Sequence, residues 1–156
     1  MRVKILGAGA GGGFPQWNCV CPNCSGFRAG RTHAKARTQS QLAVSADGDA
    51  WFLLNASPDL RSQIEANHEL WPRPASGRLR HSPIQGAVIT NADLDHVLGL
   101  LLLRESQPLH FYATPSVKKI LLEDNAFYGM LSQYKDQTRW SEIHPGQSFE
   151  LSDMAG

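Results

Sequence analysis

The sequence predicts an α/β (α+β) fold in which one mixed sheet carries helices on one face. Three observations support this. The chain opens with short strands joined by a hairpin signal, and it continues as strand–helix alternation. Segments such as Trp51–Leu54 and Ala87–Ile89 are apolar at every position, as strands covered on both faces must be.

The first strand is Val3–Leu6, followed by the glycine-rich turn Gly7–Gly13. Arg28–Arg37 is basic and reads as a surface loop. Thr38–Ser45 reads as a strand, and Trp51–Leu54 as its antiparallel return. Between them Asp47-Gly48 supplies the positive φ of a hairpin turn. Pro58–Asn67 is an amphipathic helix, with Ser57 as N-cap and Pro58 in the first turn. Trp71–Ser82, rich in Pro, Arg and Gly, is an exposed loop. Gly86–Thr90 is a buried strand that opens into a polar loop and then a helix carrying Leu98, Leu101 and Leu102. Leu109–Ala113 is a strand, and Thr114-Pro115 caps a helix running to Asp124. Asn125–Tyr134 forms a shorter helix, and Trp140–Leu151 two short strands around His144-Pro145-Gly146. The chain then stops at Ser152–Gly156 with no helix to close the layer. The expectation is one domain, 1–156, cut short and without a second domain.

A length of 156 residues suits one domain. The formal charge of +1 gives no bulk attraction to nucleic acid or an anionic membrane. The longest apolar run, Val97–Leu103, falls far short of the roughly 20 residues that span a bilayer. The amino terminus lacks the long apolar core of a secretory signal. These features predict a cytoplasmic protein without membrane insertion or nucleic-acid partner.

Gly7-Ala8-Gly9-Ala10-Gly11-Gly12 matches the dinucleotide pattern G-x-G-x-x-G, but Pro15 falls inside the helix that pattern needs. The region where a ribose-binding acid belongs is basic. A tight turn that brings backbones close together is the favoured reading.

Cys19-Val20-Cys21-Pro22-Asn23-Cys24 is a C-x-C-x-x-C cluster. Such density beside Pro, Asn and Gly points to a structural zinc held by Cys19, Cys21 and Cys24, with a fourth ligand from elsewhere. His33 is the nearest histidine in sequence, and a residue beyond the chain serves equally. The rivals are three buried core cysteines and a redox C-x-x-C pair. The redox pair is disfavoured because no helix start is evident at Cys21 to lower a thiol pKa.

In Thr90-Asn91-Ala92-Asp93-Leu94-Asp95-His96 a buried strand ends in crowded polar residues. Capping the helix needs one of them. Carboxylate and imidazole together suit zinc, manganese or iron. The site candidates are Asp93, Asp95 and His96 as catalytic residues, with Asn91 nearby. Asp95 and His96 are the expected ligands of a catalytic metal, and Asp93 is a further ligand or an orienting group.

The segment resembles the metallo-β-lactamase signature T-H-x-H-x-D-H-x-x-G-L. Thr90, Asp95, His96, Gly99 and Leu100 match, while Asn91 and Asp93 stand where that superfamily has its two leading histidines. This departure, with Gly7–Cys19 and Leu54–Asp59, resembles the branch of the superfamily that serves pyrroloquinoline quinone (PQQ) biosynthesis, over about its amino-terminal half. The resemblance implies an αββα sandwich, of which this chain is the first half. It implies a single catalytic metal, iron or another divalent ion, completed by a histidine from the carboxyl-terminal half. The implied activity is iron-dependent hydroxylation of a tyrosine-derived, Glu-Tyr-linked PQQ precursor. The alternatives are a metal-dependent hydrolase and an accessory role in moving PQQ or its precursor to the periplasm. The implied partners are that small-molecule or peptide-derived precursor and the missing carboxyl-terminal half, with a homodimer as the assembly to test. This chain alone is expected to be inactive.

Overall fold

The computed structural model describes residues 1–152 other than 78, 106 and 135. The described strands are β1 (Arg2–Gly7), β2 (Gln41–Ser45), β3 (Trp51–Leu54), β4 (Ile84–Ile89), β5 (Leu109–Ala113) and β6 (Thr138–Glu142). They lie side by side in chain order. β1–β2 and β2–β3 pair antiparallel, and β3 through β6 run parallel. Parallel neighbours need crossover connections of one hand. Because the strands are added in one direction, every crossover falls on the same face. α2 (Leu60–Glu65), α3 (Leu94–Val97) and α4 (Pro115–Leu122) belong to these crossovers, while α1 (Pro22–Arg28) sits in the loop between β1 and β2.

The helix-covered face holds the main core. Leu53, Ile89 and Phe111 of the sheet belong to one buried cluster with Leu60, Leu100 and Leu121. Each such buried side chain contributes about 2 kcal/mol. The other face is different. Phe52, Val88 and Tyr112 form a small cluster there. The Phe149 ring lies 5.6 Å from that of Tyr112, and the Ser152 N–H donates to the Tyr112 hydroxyl at 2.8 Å. In register on this face, Val3 and Ile5 of β1 are 55% and 69% exposed.

The predicted hairpin forms, with Gly48 at φ +95°. Asp47 accepts from the Asp49 and Ala50 N–H groups and from the Ser45 hydroxyl. These bonds hold its carboxyl down at about 2, the backbone N–H of Asp49 contributing most.

Several elements depart from expectation. The Pro58–Asn67 helix begins only at Leu60, because Ser57 turns inward: its N–H donates to Gln41 and its hydroxyl to Gln63, and Asp59 is the N-cap. The helix after the polar loop is one α-turn followed by a 3₁₀ segment, Leu98–Leu103. Asn125–Tyr134 is likewise a 3₁₀ segment, Ala126–Ser132. Trp140–Leu151 contains one strand end and not two strands. Ile143 extends the pairing with Ala113, Pro145 has no N–H to donate, and the chain then crosses to Tyr112. The expected end of the chain at 153–156 lies outside the described residues.

Candidate metal centres

The carboxyl ends of β3 and β4 are neighbours, and the loops leaving them are laced together. Asn55, at φ +64°, receives the Thr90 N–H at 2.9 Å and the Thr90 hydroxyl at 3.0 Å on its Oδ1. The Ala56 N–H donates to His96 O at 2.7 Å, and the Gly99 N–H to Ala56 O at 2.8 Å. The backbone around His96 is therefore held from the next strand as well as its own. These two bonds use groups that an α-helix would pair internally, which accounts for the switch to 3₁₀ after Val97.

Within this frame Asp95 Oδ2 lies 3.9 Å from His96 Nε2, with the two side chains 33% and 24% exposed. Asn91 Oδ1 lies 2.7 Å from His96 Nδ1 and 3.0 Å from the Asp93 N–H. The glycine-rich turn covers the other side, where a Cβ on Gly11 would come within 2.9 Å of Asp95 Oδ2. The close backbone approach that the sequence suggested for this turn is at Gly7, where a Cβ would stand 2.0 Å from Gln39 O. Asp93 is exposed at the start of α3 and makes no side-chain capping bond. Asp95 and His96 approach to 3.9 Å, and with Asp93 they do not form a three-ligand group among the described residues. An adjacent groove of about 370 Å³ is lined by Ala92, Leu94, Val97, Leu101 and Tyr128 among others, and by none of Asn91, Asp93, Asp95 and His96.

The cysteines do converge. One sulfur from each of Cys19, Cys21 and Cys24 lies within 4.8 Å of the others, the only such group among the described residues. Zinc–sulfur bonds of about 2.3 Å put tetrahedral sulfurs roughly 3.8 Å apart, so at most a modest contraction would close this set on one ion. His33 is not in the group. Contrary to expectation, a helix does start here. Pro22 occupies its first turn and Cys21 is the N-cap, its sulfur 3.5 Å from the Cys24 N–H. Cys21 was not a recognisable cap because thiols seldom fill that position. The Cys24 N–H first, then the Cys19 and Cys24 side chains, lower the Cys21 thiol to about 7. A backbone bond from Gln16 pulls the Cys24 thiol down, but burial and hydrogen bonds to Cys21 and Cys19 outweigh it and leave that thiol raised. Arg28, which the sequence placed in a loop, pins the cluster by donating to Cys19 O at 2.6 Å and to Gln16 O.

The sign of the Cys21 effect is definite. The folded loop favours the thiolate, so its stabilisation is full above the ordinary thiol value near 9 and is lost as pH falls through about 7. In metal-free protein, alkylation of Cys21 is expected to rise with a midpoint near pH 7 while Cys24 lags. Mass spectrometry of pH-stepped labelling checks this, and one shared midpoint for all three thiols would refute it.

No helix among the described residues is long and apolar enough to cross a membrane. Residues 50–155 match the β-lactamase superfamily domain model. Over the whole chain, the sequence is 55% identical to coenzyme PQQ synthesis protein B of Methylorubrum populi, covering 53% of that protein. It is 52% identical to the protein of the same name from Rhodopseudomonas palustris, over 96% of this chain and 46% of the relative. The chain thus spans about half the length of the curated relatives it matches. A crystal structure of Zn(2+)-bound PqqB from Methylobacterium extorquens superposes with a TM-score of 0.87 at 49% identity, over 96% of this chain and 52% of that one. A diphosphatase of the PhnP family shares the fold, with a TM-score of 0.67 at 23% identity, over 96% of this chain and 52% of that one. With a six-stranded mixed sheet of this topology and a family match over most of its length, the chain belongs to the metallo-β-lactamase superfamily.

Proposed function

We propose that this chain serves PQQ biosynthesis as one half of a metal-dependent hydroxylase acting on a tyrosine-derived, Glu-Tyr-linked precursor. The observation that carries the proposal is the pairing of Asp95 and His96 at the end of β4, in a chain 55% identical to a PQQ synthesis protein. Asp95 and His96 would hold the metal, and their mixed oxygen and nitrogen donors fit iron or zinc. A third ligand, a histidine, is expected from the region of the relatives beyond this chain. With iron bound, the centre would supply the activation of dioxygen needed to hydroxylate an aromatic ring. The chain's own part is to hold one carboxylate and one imidazole in a frame fixed from two strands. A two-metal hydrolase would call for the leading histidines, and Asn91 and Asp93 stand in their places. Cys19, Cys21 and Cys24 would hold a structural zinc, consistent with their convergence.

The test uses the full-length protein. Given a two-electron reductant such as ascorbate, iron-loaded enzyme should consume dioxygen, add one oxygen atom to a Glu-Tyr-containing peptide and reduce the other to water, and zinc should remain after the iron is removed. Peptide left unmodified by iron-loaded enzyme would reject the hydroxylase.

The half-domain reading has its own consequence. Val3 and Ile5, at the β1 edge of the face that carries Phe52 and Val88, are exposed apolar surface of the kind found at interfaces. Residues 1–156 expressed alone are expected to self-associate in light scattering. Adding the remaining half of the protein in trans should suppress that association. A stable monomer that binds iron through Asp95 and His96 would overturn this reading.

A further inference from the structure

We propose that Asn91 is a positioning residue that fixes the tautomer of His96. The assignment follows from which groups can donate. Asn91 Oδ1 receives the backbone N–H of Asp93 at 3.0 Å. A backbone N–H only donates, so the atom it meets is the amide oxygen and not the amide nitrogen. The same oxygen lies 2.7 Å from His96 Nδ1. An amide oxygen only accepts, so Nδ1 carries the proton. In the neutral ring the lone pair is then on Nε2, the nitrogen that faces Asp95 Oδ2 at 3.9 Å. That gap is too long for a hydrogen bond, so the carboxylate does not compete to place the proton on Nε2.

The geometry also shows why one side chain suffices. The His96 N–H donates to Asp93 O at 2.9 Å, closing a turn, while Asn91 Oδ1 grips the Asp93 N–H on the near side of that turn. Asn91 thus bonds both the backbone of the turn and the ring it presents. At the position where the superfamily signature has its first histidine, this chain places an acceptor that aims another histidine. The consequence for metal binding rests on the reading of His96 as a ligand, whereas the tautomer does not depend on it.

The experiment is long-range ¹H–¹⁵N correlation of the histidine rings in full-length protein, in alkaline buffer, before and after addition of Zn(II). Wild-type His96 is expected as the Nδ1–H tautomer, with Zn(II) shifting the Nε2 resonance. Asn91→Asp keeps an acceptor and should keep both the tautomer and, within a few-fold, the affinity read at that resonance. Asn91→Ala should move the ring towards Nε2–H and weaken Zn(II) binding there about 10–100-fold, the usual effect of losing a partner that orients a ligand. Wild-type His96 found as Nε2–H overturns the proposal without any variant, and so does an unchanged tautomer in Asn91→Ala. A peptide left unhydroxylated while His96 remains Nδ1–H would sink the hydroxylase reading and leave this assignment standing.

Discussion

Gly99→Ala is expected to cost about 3 kcal/mol of stability, at the upper end of overpacking penalties, and to disturb the Asp95–His96 pair. A Cβ at this position would stand 2.3 Å from Ser57 O and 2.8 Å from Ala56 O. Both are backbone atoms, so no side-chain rotation relieves the collision. The Gly99 N–H also bonds Ala56 O, and pushing that contact apart strains the adjoining bond from Ala56 N to His96 O. Denaturant unfolding of the full-length protein checks the magnitude, and Zn(II) titration checks the site. Wild-type stability in the variant would show that the lacing of the two loops is looser than described. Gly129→Ala is the control, since its Cβ meets nothing within 4 Å.

The second large effect is expected from His96→Ala. It removes one of the two metal ligands proposed for this chain, so metal affinity there should fall by more than the roughly 10–100-fold typical of losing an orienting partner. Metal-dependent turnover should disappear. Stability should change little, within about 0.5 kcal/mol, because the side chain is partly exposed and lies outside the core cluster. Metal analysis and turnover of the purified full-length variant decide the matter. Unchanged metal content and activity would remove His96 from the site.

Much of this arrangement was legible from local chemistry. Val88-Ile89 running into Asn91, Asp93, Asp95 and His96 marks a buried strand ending at a polar loop, and the structure places β4 and that loop accordingly. Asp47-Gly48 marks the hairpin, and Thr114-Pro115 the start of α4, where the Thr114 hydroxyl receives the Val117 N–H. What escaped depended on partners distant in sequence. Ser57 looks like a helix cap until Gln41 and Gln63 claim it. The leucine-rich run after His96 looks α-helical until Ala56 takes the N–H of Gly99. Asn55, although inside the Leu54–Asp59 stretch, and Arg28 show no role in their local sequence. Their roles exist only once β3 lies beside β4 and α1 folds back on the cysteines. Asn91 stands out by its position in the polar loop, but its hydrogen bond to His96 is one that spacing alone does not specify.

The lacing of Asn55–Ser57 to the segment from Thr90 to Gly99 has a consequence for how such a site can change over time. Four of its bonds end on backbone atoms or on Asn55, and none uses the side chains at 91, 93, 95 or 96. Apart from Asn91, which holds both the turn and the ring, shape and chemistry are therefore written in separate places. The strand ends and their cross-links supply a mounting, and the polar side chains are the parts it carries. A substitution at 93 exchanges a part without loosening the mounting, whereas one at 91 also frees the Asp93 N–H that its side chain holds. One scaffold could in this way abandon an ion, or recruit a different one, through single-residue steps that each leave a folded protein.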